Sequence, residues 1–244
     1  MADFRDYIGL DLTGYLMHYG VGHDKGGHSG RYPWGSGKRP RQDIGRSGQV
    51  AKTSAASMKS DSLHKSAIAA GFKLLPKSET REESLKNCNP YRGKFVGKDN
   101  CLSSSLSGYF REQGIDSKGR MRFDGGVFAD EIMNNATSNK LKRCDRVIFD
   151  PGEEASAITK AISRMYGENS AGLIMVRWQG GGGHVYNFET KGGKVSFIDY
   201  QLGQTGKAVD EYLDHVDTRE PVVLYRLDNA ELDMSKLKKY LKAS

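Results

Sequence analysis

Cys101, His184 and Asp199 are the residues whose types and order could carry thiol chemistry. Cys101 follows Asn100 at the head of CLSSSLSGYFREQG, a segment with helical periodicity. A cysteine there is activated, because the free thiol's pKa of about 8.5 falls at a helix N-terminus and beside an imidazole. The unpaired backbone N–H of such a residue is also a ready oxyanion donor. Asn100 is the nearest side chain that could act with it. His184 follows Gly180 to Gly183 and opens HVYNF; Asp199 closes KVSFID one strand later. Two strands joined by a tight turn set neighbouring residues side by side, so the histidine and the carboxylate can meet across them. That is the base and orienter geometry a nucleophile needs. The chemistry expected is hydrolysis of an amide by an acyl-enzyme route. A single Cys–His pair is more often a buried cysteine and a turn histidine; here order, spacing and elements agree. The glycine run is either a flexible turn or a place of close backbone approach for a substrate at Gly183. It is not a phosphate loop, since no Lys–Ser/Thr pair and no helix follow it.

The elements that must position these residues are legible in outline. Leu102, Leu106, Tyr109 and Phe110 share one face of the Cys101 helix, which Gly114 stops. RVIFD at 146–150 reads as a strand, and PGEEASAITKAISRMYG as an amphipathic helix ending at Gly167. GLIMVRW, HVYNFET and KVSFIDY read as strands, with KGGK a hairpin turn between the last two. AVDEYLDHV reads as a short helix, VVLYRLD as a strand, and MSKLKKYLK as a basic C-terminal helix.

The 244 residues carry a formal net charge of +7. Only 37% are hydrophobic, and the mean hydropathy is -0.62; part of the chain is therefore expected outside any core. That part is 1–48, where HYGVGHDKGGHSGRYPWGSGKRPRQDIGRSG is dense in Gly, Arg and His. Residues 49–86 read as a helical linker, and 87–244 as the compact domain. His18, His23 and His28 recur at equal spacing around Asp24, but the Gly-rich context offers no rigid frame and no metal site is expected. Tyr19, Tyr32 and Trp34 among Arg31, Lys38, Arg39 and Arg41 suit a protein-docking peptide or stacking on nucleic acid. The three cysteines, Cys88, Cys101 and Cys144, have no paired spacing, which argues against a disulfide scaffold and for a reducing compartment. Cys88 beside Asn89-Pro90 and Cys144 without a partner motif are the weaker nucleophiles. No run reaches the roughly 18 apolar residues of a membrane span, and MADFRDYIGLD lacks the basic start of a signal peptide.

The segment GLIMVRWQGGGGHVYNFETKGGKVSFIDYQLG, with NPYRGKFVGKDNC before it and VVLYRLDN after it, resembles the papain-fold toxin family of glutamine deamidases. The likeness spans about residues 87–230. It is most specific at Asn100-Cys101, at Gly183 to Asn187 and at Asp199 to Gln201. It implies an α+β papain-like fold, a nucleophile at Cys101, a base at His184 and an orienter at Asp199. Gln201 matches a recurrent family glutamine that lines the site. It implies no cofactor and a protein substrate, with glutamine deamidation preferred over peptide cleavage or transglutamination. Three departures stand out. Ser103 to Ser105 replace a second cysteine, Arg111 alone remains of an Arg-rich helix end, and Tyr200 replaces a proline. Separately, residues 16–42 are similar to peptides near the N-terminus of phage and prophage head- or portal-associated proteins. The expected setting is the cytoplasm of a bacterial host or a virion. The competing expectation is a virion-associated structural protein in which the papain-like domain is a scaffold docked through residues 16–42.

Overall fold

The structure is a computed structural model; it describes residues 54–94, 100–121 and 146–243, with side chains from residue 61 onward. Residues 1–48, with the peptide 16–42 and its histidines, lie outside the described residues, as does Cys144.

A six-stranded antiparallel sheet forms the centre, in the order β3-β8-β4-β5-β6-β7. Its strands are β3 (Arg146–Phe149), β4 (Ser170–Arg177), β5 (Gly183–Lys191), β6 (Lys194–Asp199), β7 (Gln204–Thr205) and β8 (Val222–Arg226). Alternation along β4 and β5 sends side chains to opposite faces. On one face Leu173, Val185, Val223 and Tyr225 pack with Cys101, Leu102, Leu106 and Phe110. On the other, Ile174, Val176, Tyr186, Phe188 and Leu224 pack with Ile158 and Ile162. The helix α3 (Cys101–Glu112) therefore covers one face and α4 (Ala155–Tyr166) the other. This is the α+β arrangement expected of the sequence, the Cys101 helix packed on an antiparallel sheet.

The helix α3 is buried all round, which its apolar face alone does not suggest. Ser103, Ser104, Ser105 and Ser107 are no more than 3% exposed. Their small side chains admit close neighbours on every side: β2 (Ile115–Gly119) on one flank and β5 on another. A Cβ on Gly119 would stand only 3.0 Å from the Ser103 backbone. Ser105 Oγ donates to the Val185 carbonyl at 3.1 Å, and Asn187 Nδ2 donates back to the Ser105 carbonyl at 3.3 Å. Ser105, one of the three serines at 103–105, thus joins the helix that begins at Cys101 to the strand that carries His184.

Three sequence-based expectations need correction. The segment read as a helical linker holds α1 (Ser54–Ala69), β1 (Lys73–Leu74) and α2 (Arg81–Asn87), and it shares the core. Ala67, Ala70 and Phe72 lie in the same cluster as Cys101 and Leu106. Ser66 Oγ donates to the Leu232 carbonyl at 3.2 Å and accepts from the Met234 N–H at 3.1 Å. The boundary near residue 87 therefore does not divide two cores. The basic C-terminal helix stops early, as α6 (Met234–Leu237); β9 (Leu241–Ala243) then pairs with β2, which in turn pairs with β1. Burial of Tyr240 and Leu241 outweighs the helical propensity of the lysines beside them. Likewise AVDEYLDHV splits into α5 (Lys207–Asp210) and a 3-10 helix, Glu211–His215.

Candidate active site

Cys101 is the first residue of α3 and is 1% exposed. Asn100, the residue before it, occupies the N-cap yet makes no side-chain capping bond. On α2, by contrast, Thr80 and Glu83 form a reciprocal capping box. The carboxamide of Asn100 is used differently. Its Nδ2 donates to Asn89 Oδ1 at 3.0 Å, and its Oδ1 accepts from Gln201 Nε2 at 3.4 Å. Asn89 Nδ2 in turn donates to the Gln201 carbonyl at 2.9 Å. The three residues are 4%, 1% and 3% exposed. They form a closed, neutral ring of amides that ties the start of α3 to the turn after β6.

His184 is the second residue of β5, with Trp178 and Tyr186 stacked near its ring at 6.0 and 5.9 Å. Its Nε2 meets Asp199 Oδ2 at 2.8 Å. The β5–β6 register places Asp199, the last residue of β6, diagonally from His184 on the same face. The Cys101 thiol hydrogen-bonds to the same imidazole. Since Nε2 is taken by the carboxylate, Nδ1 is the nitrogen left for sulfur. Asp199 is fully buried and receives two further donors: the Leu202 N–H at Oδ1, 2.9 Å, and the Tyr212 hydroxyl at Oδ2, 3.0 Å. The first is a local turn. The Gly203 N–H also bonds back to the Asp199 carbonyl at 2.7 Å, with Gly203 at φ +75°.

These contacts set the charges. Burial disfavours the imidazolium, but the Asp199 charge, its hydrogen bond and Cys101 outweigh that and raise the His184 pKa to about 10. Burial likewise opposes ionisation of Asp199, yet His184, the Leu202 amide and Tyr212 hold its pKa below the usual carboxylate value. The pair is an imidazolium–carboxylate at neutral pH. Cys88 contrasts with this: burial pushes its thiol up to about 12, against the opposing pull of Arg92. Its sulfur faces the Tyr200 carbonyl at 3.4 Å. A protonated thiol so enclosed is a poor nucleophile.

The sequence-derived site residues thus fall into two groups. Cys101, His184 and Asp199 are brought together. Asn100 and Gln201, expected to face an oxyanion or a substrate, instead bond to each other and to Asn89 in the interior. Gly183 opens β5 opposite Arg177, and a Cβ there would lie 2.9 Å from the Val176 carbonyl. Close strand pairing accounts for that glycine, without a substrate. Sequence reasoning missed Asn89 and Tyr212. The first stood in NPYRG as part of a motif with no assigned role; the second carried no signal beyond an apolar position in a short helix. Among the described residues no group of three or more His, Cys, Asp or Glu is placed to hold a metal ion, and no helix is long and apolar enough to cross a membrane.

Residues 99–204 match the family described as papain fold toxin 1, glutamine deamidase. The match begins just before the nucleophile position, ends at the start of β7 and includes Cys101, His184 and Asp199. No curated protein and no solved structure matches the chain significantly. The match assigns the segment to a papain-fold, cysteine-dependent hydrolase.

Proposed function

We propose, starting from a papain-fold hydrolase of the glutamine deamidase kind, that this chain is a protein glutamine deamidase-like effector of phage or prophage origin. Cys101 is its nucleophile, His184 its acid and base, and Asp199 the orienter. The observation that carries the reading is one imidazole held by Asp199 at Nε2 and hydrogen-bonded to a thiol at a helix start. The Cys101 thiolate attacks the side-chain amide carbon of a glutamine. The oxyanion is met by helix-start backbone N–H groups, that of Cys101 first, rather than by the committed amide of Asn100. His184 gives its proton to the departing nitrogen, ammonia leaves, and a thioester remains. Water then attacks the thioester while His184 takes its proton; glutamate is released and the thiolate–imidazolium pair is restored. The net change is amide plus water to carboxylic acid plus ammonia. The phage assignment is supported by the resemblance of residues 16–42, with a head or portal component as the partner of that peptide.

Incubation with a bacterial lysate tests this. Particular glutamines should gain about one dalton as they become glutamate, and Cys101→Ser should stop the change while the fold survives. New peptide termini in place of the mass gain would make the enzyme a protease. Neither change, together with unaltered infection by a Cys101→Ser phage, would make the domain a scaffold.

A further inference from the structure

The His184–Asp199 pair rests on a side chain that neither the sequence pattern nor the family match singles out. Tyr212, in the 3-10 helix Glu211–His215, is 4% exposed. Its hydroxyl donates to Asp199 Oδ2 at 3.0 Å, the same oxygen that His184 Nε2 reaches at 2.8 Å. Its ring stands edge-on to His184 at 5.9 Å and 64°, to Trp178 at 5.5 Å and 87°, and to Tyr186 at 5.3 Å and 83°. Three aromatic planes fix the ring, so the hydroxyl is aimed at Oδ2. Gln204 Oε1, at 3.4 Å, is a second and more distant acceptor for the same proton, so the shorter bond to Oδ2 takes the larger share of it.

We propose that Tyr212 is a positioning residue whose hydroxyl competes with His184 for Oδ2 of Asp199, and so sets how tightly the carboxylate holds the imidazolium. The inference rests on the reading of Cys101 and His184 as the reacting pair. A buried carboxylate is stabilised only by the donors around it. Asp199 has His184 and Tyr212 at Oδ2 and the Leu202 amide at Oδ1. Removing one donor concentrates the charge on those that remain, chiefly on His184. The imidazolium would then be held more tightly and would surrender its proton to the leaving nitrogen more slowly. The other groups bearing on this cluster are Cys101 from α3, Cys88 beyond α2, Tyr186 on β5 and Asp210 on α5. Cys88 and Tyr186 stay protonated because burial pushes both up, and Asp210 stays ionised in the alkaline range.

Nitrogen-15 NMR of the His184 ring in the full chain, followed as a pH titration, reads the effect. Tyr212→Phe keeps the ring contacts and removes only the hydroxyl. The His184 midpoint should rise by about half a unit to one unit, the scale of one hydrogen bond to a charged group. Turnover should fall through kcat with KM little changed. Replacing Tyr212 with 3-fluorotyrosine, a stronger donor of nearly the same shape, should move the midpoint down, and keeps the test open if the Phe variant folds poorly. An unmoved midpoint, or shifts of the opposite sign, would overturn the proposal. Iodoacetamide labelling separates this from failure of the underlying pair. If Cys101 keeps its reactivity at pH 6 in His184→Ala, the reacting pair itself is wrong. If that reactivity is lost but Tyr212→Phe leaves the midpoint in place, only the role of Tyr212 is refuted.

Discussion

The two ends of α3 are built on opposite principles. At its start, Asn100, the residue before Cys101, belongs to a neutral ring of amides with Asn89 and Gln201. At its end, Arg111 bonds Glu79 through two nitrogens at 2.7 and 2.6 Å and Asp116 at 2.6 Å, at only 5% exposure. Glu112 beside it pairs with Arg81, which also reaches Glu189 on β5, and accepts from the Tyr200 hydroxyl. The charged end fastens α3 to α2, β2 and β5. The neutral end leaves the thiol's charge to be decided by His184 and the helix start. Further formal charges beside Cys101 would compete with the imidazole for the thiolate, whereas at Arg111 and Glu112, at the far end of the helix, they only hold the scaffold together. The comparison separates stability from reactivity along one helix, and each end can be broken alone.

The largest expected effect is at the neutral end. Cys101→Ser should cost on the order of 10^6-fold in turnover, as loss of a nucleophile does when its base is retained. Its melting temperature should stay close to that of the parent, because serine keeps the size of the side chain at this buried position. Scanning calorimetry beside the deamidation assay checks both halves. At the charged end the order reverses. Arg111→Met leaves Glu79 and Asp116 without their cation and should cost about 3 kcal/mol or more, a fall on the order of 10 °C in a domain of this size. Cys101 should still label ahead of Cys88 with iodoacetamide below the unfolding transition. Loss of that selectivity in Arg111→Met would show that the two ends are not separable.

How much of this was legible beforehand differs between the ends. The proposed site residues could be placed because each stands at an element boundary with a local signature: Asn100-Cys101 before a periodic run, glycines before His184, a hairpin turn before Asp199. The core strands were legible for the same reason, as apolar runs punctuated by Gly. The charged lock was not. Glu79 and Arg81 looked like a solvated linker, since a charge run in sequence does not reveal that its partner, Arg111, is buried 30 residues later. The C-terminal strand was hidden behind lysines with good helix propensity, because only the unpaired edge of β2 makes a strand there favourable. Tyr212 and Asn89 were illegible in principle: an aromatic in a short helix and an Asn before Pro acquire roles only through tertiary contact.

A smaller perturbation tests whether the ends communicate through Tyr200. A Cβ on Gly108, in the middle of α3, would fall 2.2 Å from the Tyr200 ring, so helix and ring meet without a spare methyl. Gly108→Ala should gain helix propensity but lose more to overpacking, a net cost of about 1–3 kcal/mol. Tyr200 is joined to Glu112 at its hydroxyl and to Asp199 through the chain. Displacing the ring should therefore shift the orienter as well as weaken the charged end. Alone among these variants, Gly108→Ala should lower both melting temperature and turnover; an unchanged turnover would show that Asp199 is held by Leu202 and Tyr212 without help from Tyr200.

The smallest effect is a difference in how the ends respond to pH. Burial opposes the charge on Glu79, but Arg111, Asn87 and Ser84 outweigh it, and its folded pKa lies below the usual 4.5. A depressed acid contributes stability that is fully present above its unfolded pKa and is lost as pH falls through its folded one. Asp199 behaves in the same sense from 3.8 downward. His184 behaves oppositely. Its pKa is raised from 6.5 to about 10, so its contribution is complete below 6.5 and is lost as pH rises through about 10. Stability should therefore be greatest between roughly pH 5 and 6.5, with an acid limb owned largely by the charged end and an alkaline limb by the site. Melting temperature measured from pH 3 to 10 in constant ionic strength resolves the two. Glu79→Gln should flatten the acid limb and leave the alkaline one, whereas His184→Gln should flatten the alkaline limb and, by removing the cation that depresses Asp199, a smaller part of the acid one. If His184→Gln left the decline between pH 7 and 10 intact, the imidazolium–carboxylate pair would not be formed in the free protein, and Asp199 would orient a neutral ring instead.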